Sequence, residues 1–261
     1  MLLARVEGNV VATRKHPSYE GWRLVICQPI GTTGEAEGSP QIAIDAYGAG
    51  MHQQVIISSD GLASRKAVGD DYTIMCDGNK ATLDYGSQKG VAWDFTRAYE
   101  TAKEYQNMKV YWLEEPLPRY DFDGLAELNR LIEMKLAGGE GNRGVHEFRT
   151  LLERGCFDIV QPEVMLEGPL HLRKIAVLAE SMNKLCIPHV GDSRLGTICD
   201  LHLVASWPNA PYLEIFNDAP IGDYEYPFAM FENPPVLDRN GYFKVPTGPG
   251  LGIAIQKEFY G

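Results

Sequence analysis

The chain has 261 residues, of which 44% are hydrophobic, 23% charged and 10% aromatic. Those fractions belong to a folded globular protein and exclude a wholly disordered, collagenous or fibrous one. Lys and Arg number 24 against 35 Asp and Glu, a formal charge of −11, which argues against nucleic acid or an anionic membrane as partner and is compatible with a bound divalent cation.

Apolar runs such as 24–27 and 55–57 fall far short of the roughly 20 residues that cross a bilayer. The opening MLLARVEGNVVAT has no cationic start before an apolar block, so a mature cytoplasmic protein is expected. Cys27, Cys76, Cys156, Cys186 and Cys199 are odd in number, scattered and without a CxxC pair. Buried free thiols in a reducing compartment are expected of them.

In chain order, residues 1–66 hold short β-type runs, LARVEGNVVAT, WRLVICQPI, PQIAIDAYGAG and QQVIISSDG, separated by Gly and Pro. Four strands with tight connections, and no helix before LASRKAVG, predict an incomplete small β-barrel or sandwich over residues 1–66. Across residues 67–261 the rhythm changes. Six apolar runs (72–77, 110–115, 135–140, 157–163, 184–189 and 212–216) alternate with segments whose apolar residues recur at helical spacing. That is a βα repeat with parallel strands and right-handed crossovers, and six successive units favour a partial (β/α) TIM-type barrel over an open doubly wound sheet. Residues 217–247, rich in Pro and aromatics, read as a C-terminal wrap returning across the barrel.

Each run delivers one ionisable residue near its C-terminal end: Asp77, Glu114, Glu140, Glu163, His189 and Glu214, separated by 37, 26, 23, 26 and 25 residues. In a barrel these ends share one rim, where chemistry is built. One Glu after a strand is commonly a solvated loop charge; six in series argue for a common mouth. Carboxylates gathered there repel unless a cation neutralises them, and three oxygen donors with open positions suit Mg²⁺. Asp77, Glu114 and Glu140 are the expected metal ligands. The GxGxxG at 139–144 is not read as a dinucleotide site, because Glu140 would face the pyrophosphate. His16, His52, His146, His171 and His202 are expected in surface or helix-face roles.

The ordered set Asp77-Gly-Asn79, Trp112-Leu-Glu114-Glu115-Pro116, Gly139-Glu140-Gly141-Asn142, Gln161-Pro162-Glu163, Ile187-Pro188-His189, Tyr212-Leu-Glu214 and Gly248-Pro-Gly-Leu-Gly252 resembles the enolase superfamily, mandelate racemase subgroup, over about residues 66–256. The resemblance implies Mg²⁺ on Asp77, Glu114 and Glu140, and abstraction of the proton α to a carboxylate through an enediolate. His189 is then the base. The IPH sequence resembles the acid-sugar dehydratases, in which the His works with an acid on the preceding strand, here Glu163 where Asp is more usual. Glu214 would bond the substrate carboxylate or enediolate, and Asn79 is a further substrate contact. The family barrel has eight strands, a capping domain and often a Lys-x-Lys base pair. No Lys-x-Lys precedes Asp77, so a two-base racemase is not expected, and the resemblance begins at the third strand.

The first 66 residues resemble another family. Val6-Glu-Gly8-Asn-Val10, Ile44-Asp45 and Gly48-Ala-Gly50 are similar to the pentameric vertex protein of bacterial microcompartment shells, a small β-barrel without catalysis. Three readings follow: an acid-sugar dehydratase-like Mg²⁺ enzyme, a structural shell component carrying cargo, and an inactive join of two genes. The implied partners are a small sugar acid, further copies of the same chain and microcompartment shell proteins, with the microcompartment as an alternative location to the open cytoplasm.

Overall fold

The computed structural model describes residues 2–10, 23–31, 33–37, 40–45, 48–57, 73–79, 93–191, 194–215, 225–238 and 240–259. The helix expected at LASRKAVG and the first part of the C-terminal wrap lie outside the described residues. The chain separates into two compact units, residues 1–74 with 107–110, and residues 75–106 with 111–261.

The first unit is an antiparallel sheet of β1 (Leu2–Val10), β2 (Arg23–Pro29), β3 (Gln41–Asp45) and β4 (Gln54–Ile57), in the order β3-β2-β1-β4. Alternation places Ala4, Val6, Val25 and Cys27 on one buried face, with Ala43, Ala49, Val55 and Ile57 packed against them. Val6 pairs with Cys27 and Gly8 with Ile26, so Glu7 is the extra residue of a bulge. Arg23 stands opposite Asp45 across β2 and β3 and bonds its carboxylate at 2.6 Å, which pins that register.

The second unit contains a parallel sheet in sequential order: β5 (Met75–Asp77), β6 (Trp112–Glu114), β7 (Lys135–Gly138), β8 (Ile159–Val160) and β9 (Leu185–Cys186). Its helices are α1 (Phe95–Asn107), α2 (Phe122–Leu131), α3 (Gly144–Glu153), α4 (Val164–Ser181), α5 (Leu195–Val204) and a short α6 (Glu225–Phe228). Each longer helix offers apolar residues at helical spacing to the sheet: Ala98 and Ala102 in α1, Leu125 and Leu128 in α2, Phe148, Leu151 and Leu152 in α3, and Leu172, Ile175, Ala176 and Ala179 in α4. Asp94 and Asp121 cap α1 and α2 by accepting from the amides of Arg97 and Gly124. α4 breaks at Gly168 and Pro169, then resumes.

The opposite face of the sheet carries Trp112, Ala137, Ile159 and Ile187, all buried, with Met75, Tyr111 and Leu185 beside them. This is the inner layer of a barrel wall. Five of the six expected strands form. The sixth run, at 212–215, is irregular backbone and belongs to no ladder among the described residues. Packing holds it instead: the Tyr212 ring meets Tyr111 and Trp112 edge-on, with centroids 6.2 and 6.4 Å away. Further on, Phe228 and Phe231 pack with Ile198 of α5 and with Leu237, Phe243, Leu251 and Ile255, so the described part of the C-terminal wrap covers the last barrel helix. All five cysteines are free. No described helix is long and apolar enough to cross a membrane.

Candidate active site

Strand register brings the polar strand ends together. Asp77 pairs with Glu114 across β5 and β6. Ile159 pairs with Leu185, Val160 with Cys186, and the same 26-residue offset continues to an isolated parallel bridge between Glu163 and His189. Glu140 follows the end of β7 through Gly139, whose φ of 121° is open to glycine and strained for other residues. Glu214 reaches the same rim from the irregular 212–215 segment and accepts a bond from the Val190 amide at 3.3 Å.

His189 is the hub. Nδ1 donates to Glu163 Oε2 at 2.9 Å and Nε2 to Glu140 Oε2 at 2.9 Å, and an imidazole donating from both nitrogens is the charged form. Burial alone would lower its pKa; the bonds to Glu140 and Glu163, with the charge of Glu214, reverse that and raise it to about 11. Glu163, itself 6% exposed, is penalised by burial but held below the usual carboxylate range by His189 and by the Met165 and Gly191 amides, at 3.0 and 2.9 Å. The bond to His189 likewise holds Glu140 low, against burial.

The remaining acids are pushed the other way. Burial raises Glu114 to about 8, opposed by a side-chain hydrogen bond with Gln161 and reinforced by Asp77 and Glu214. Glu115 also rises to about 8, from burial first and then from Glu140, with Arg119 opposing. Burial raises Glu214, too, with Glu140 and Asp77 adding to the shift. Asp77 accepts from the amide of Asn79 at 2.8 Å and also from its side chain.

Four residues without an expected role stand in this network. Glu115 follows the first Glu of the EEP sequence at φ 40°, a strained left-handed backbone. Gln161 bonds Glu114. Arg119 bears on Glu115 and Glu140 by charge. Asp200, on α5, is 1% exposed, has no hydrogen-bond partner on either oxygen, and is pushed up to about 8 by burial and by Glu163 and Glu214. A signal for Asp200 existed in the sequence: it is the one acid in the run LGTICDLHLV.

Residues 62–259 match the enolase C-terminal domain-like family, which agrees with the parallel sheet and its rim of acids. The chain belongs to that family. Residues 1–78 match a second family model, described as ethanolamine utilisation protein EutN/carboxysome. An arabinonate dehydratase from Saccharolobus solfataricus is 28% identical over 195 residues, 74% of this chain and 48% of that protein. The 3,6-anhydro-D-galactonate cycloisomerase from Zobellia galactanivorans is similar in structure, with TM-score 0.64, 27% identity, and coverage of 76% of this chain and 52% of that one. A racemase from Streptomyces coelicolor A3(2), described with bound magnesium, aligns with TM-score 0.62 and 26% identity over 76% of this chain and 48% of its own. The chain spans about half the length of these relatives.

The enolase C-terminal domain-like family implies Mg²⁺, and the donor chemistry suits it. Buried carboxyls at Glu114 and Glu115 are neutral or uncompensated near neutral pH, and Glu115 Oε2 is buried without a partner. A hard dication beside such carboxyls offsets the burial cost of their ionised form. As the side chains stand, no three His, Cys, Asp or Glu among the described residues are gathered closely enough to hold an ion. Glu140 is committed to His189 and Asp77 to Asn79.

Proposed function

We propose that the protein is a Mg²⁺-dependent lyase of the acid-sugar dehydratase type, removing the proton α to a carboxylate and then a β-hydroxyl as water. The observation that carries this reading is the placing of His189 between Glu163 and Glu140 on a rim shared with Asp77, Glu114 and Glu214. Asp77, Glu114 and Glu140 would hold the ion, which would supply Lewis-acid stabilisation of the dianionic enediolate.

The protein's own groups do the rest. Glu163 holds Nδ1–H of His189 and so fixes the tautomer that can accept a proton at Nε2, the nitrogen that now faces Glu140. His189 takes the α-proton, the electron pair moves into the enediolate, and the same imidazolium returns a proton to the departing β-hydroxyl. Glu214, whose pKa burial raises, is placed to donate a hydrogen bond in its protonated form to the carboxylate oxygen as charge develops there. Asn79 stands beside Asp77 as a further contact for substrate hydroxyls.

The direct test is Mg²⁺-dependent dehydration across a panel of sugar acids, with Mg²⁺ affinity measured by calorimetry. Glu140→Gln is expected to weaken Mg²⁺ binding by roughly 10- to 100-fold, by analogy with losses in disturbed metal sites, and to lower turnover in proportion. Silence of the wild type across the panel, or undisturbed Mg²⁺ binding in the variant, overturns the reading.

A second reading concerns the first unit. Its match over residues 1–78 and its antiparallel sheet support a microcompartment vertex role, with the chain assembling as a homo-oligomer among shell proteins. Native mass spectrometry is expected to show a fivefold particle, and a monomer at micromolar concentration counts against it.

A further inference from the structure

We infer that Arg119 is a positioning residue for the Glu140 arm, its guanidinium seated on the backbone of Gly141. This rests on the reading of Glu140 as a metal ligand. Arg119 lies in the connection between β6 and α2, just beyond the strand that ends at Glu114. A methyl placed on Gly141 would overlap its Cζ and Nη2 and come within 2.7 Å of Nε. Gly141 is absent from the glycines with positive φ. Its missing side chain therefore answers to the space the guanidinium needs and not to the backbone.

The seat is held without the usual satisfaction. Nε and Nη2 of Arg119 are buried with no hydrogen-bond partner, and so is Oε2 of Glu115. Buried polar groups are ordinarily paired, and leaving both signs of charge unsatisfied in one place is costly. From this seat Arg119 bears by charge on both Glu115 and Glu140. A flat, delocalised cation against an α-carbon does this without donating to the loop, which a lysine ammonium, a compact and strongly hydrated point charge, does not. Without Arg119 the loop from Gly139 to Asn142 loses the surface on which it rests. The position of Glu140, and so its hold on an ion, depends on that rest.

The test is a double-variant cycle on the full chain, using R119A, G141A and R119A/G141A, with R119K alongside. The readouts are the melting temperature without metal and the Mg²⁺ dissociation constant by titration calorimetry with magnesium chloride. G141A is expected to lower the melting temperature by about 4 °C when Arg119 is present, the scale of a moderate defect in a unit of this size, and hardly at all in the R119A background. Each single variant is expected to weaken Mg²⁺ about tenfold, the lower range for groups that orient ligands, with the double variant no worse and R119K not restoring the loss. An equal effect of G141A in both backgrounds overturns the seating. Undiminished Mg²⁺ affinity in R119A, beside a wild type that binds, overturns the role of Arg119 alone. A wild type that does not bind Mg²⁺ overturns the metal reading and the positioning role with it.

Discussion

His189→Ala is expected to reduce dehydration of whichever sugar acid the protein accepts by about three orders of magnitude or more, since positioned acid–base groups contribute 10²–10⁴-fold and this residue is proposed to act twice. The loss should fall on kcat, with Mg²⁺ affinity retained or improved. Glu163 keeps its bonds from the Met165 and Gly191 amides when the imidazole is removed, so it is not left as a bare buried charge. Glu140 loses its partner at His189 Nε2 and keeps the influence of Arg119. Folding therefore survives the substitution while the base does not. Glu163→Gln tests the same pair from the other side: an amide in that place keeps the shape but no longer fixes the imidazole as an anion does, and a smaller fall in kcat is expected. Full turnover in the alanine variant, with Mg²⁺ still required, would remove His189 from the chemistry.

Asp200→Asn is expected to flatten the fall of stability with rising pH. In the unfolded chain an Asp gives up its proton near pH 3.9, whereas burial and the charges of Glu163 and Glu214 hold the Asp200 proton until about 8. Between those limits the native state binds more protons than the unfolded one, so this group lowers stability as pH rises. The greatest slope one such group can give is about 1.4 kcal/mol per pH unit. Asparagine has no proton to retain, so the variant should gain on the wild type by roughly 1 kcal/mol per unit between pH 5 and 7, in reversible denaturant unfolding of the βα unit. Glu114, Glu115 and Glu214 shift in the same direction and leave a residual slope in both proteins. Parallel stability curves would mean that Asp200 is ionised or partnered in solution.

Much of this site is legible in the sequence because parallel strands convert spacing into neighbourhood. The 37 residues from Asp77 to Glu114 and the 26 from Glu163 to His189 equal the strand registers themselves, so these pairs stand side by side. The equality fails at the middle of the sheet. Trp112 pairs with Lys135, an offset of 23, so Glu114 is level with Ala137, and Glu140 lies three residues beyond. A residue placed past the ladder is aimed by its loop, and counting along the chain does not say where. The run at 212–216 illustrates another limit: a short apolar run in a βα repeat reads as a strand, yet Tyr212 is held by aromatic packing and Glu214 by the Val190 amide.

By itself the sequence determined the two unlike parts, the order of the βα units and the set of acids and imidazole at their ends, because hydrophobic period and chain order are local properties. Only the tertiary structure decided that Glu140 is drawn to His189, that Arg119 rests on Gly141 and that Asp200 is sealed beneath the rim with its oxygens unpaired. Those outcomes depend on the burial and field created by groups far apart in the chain, which exist only once the strands have been brought together.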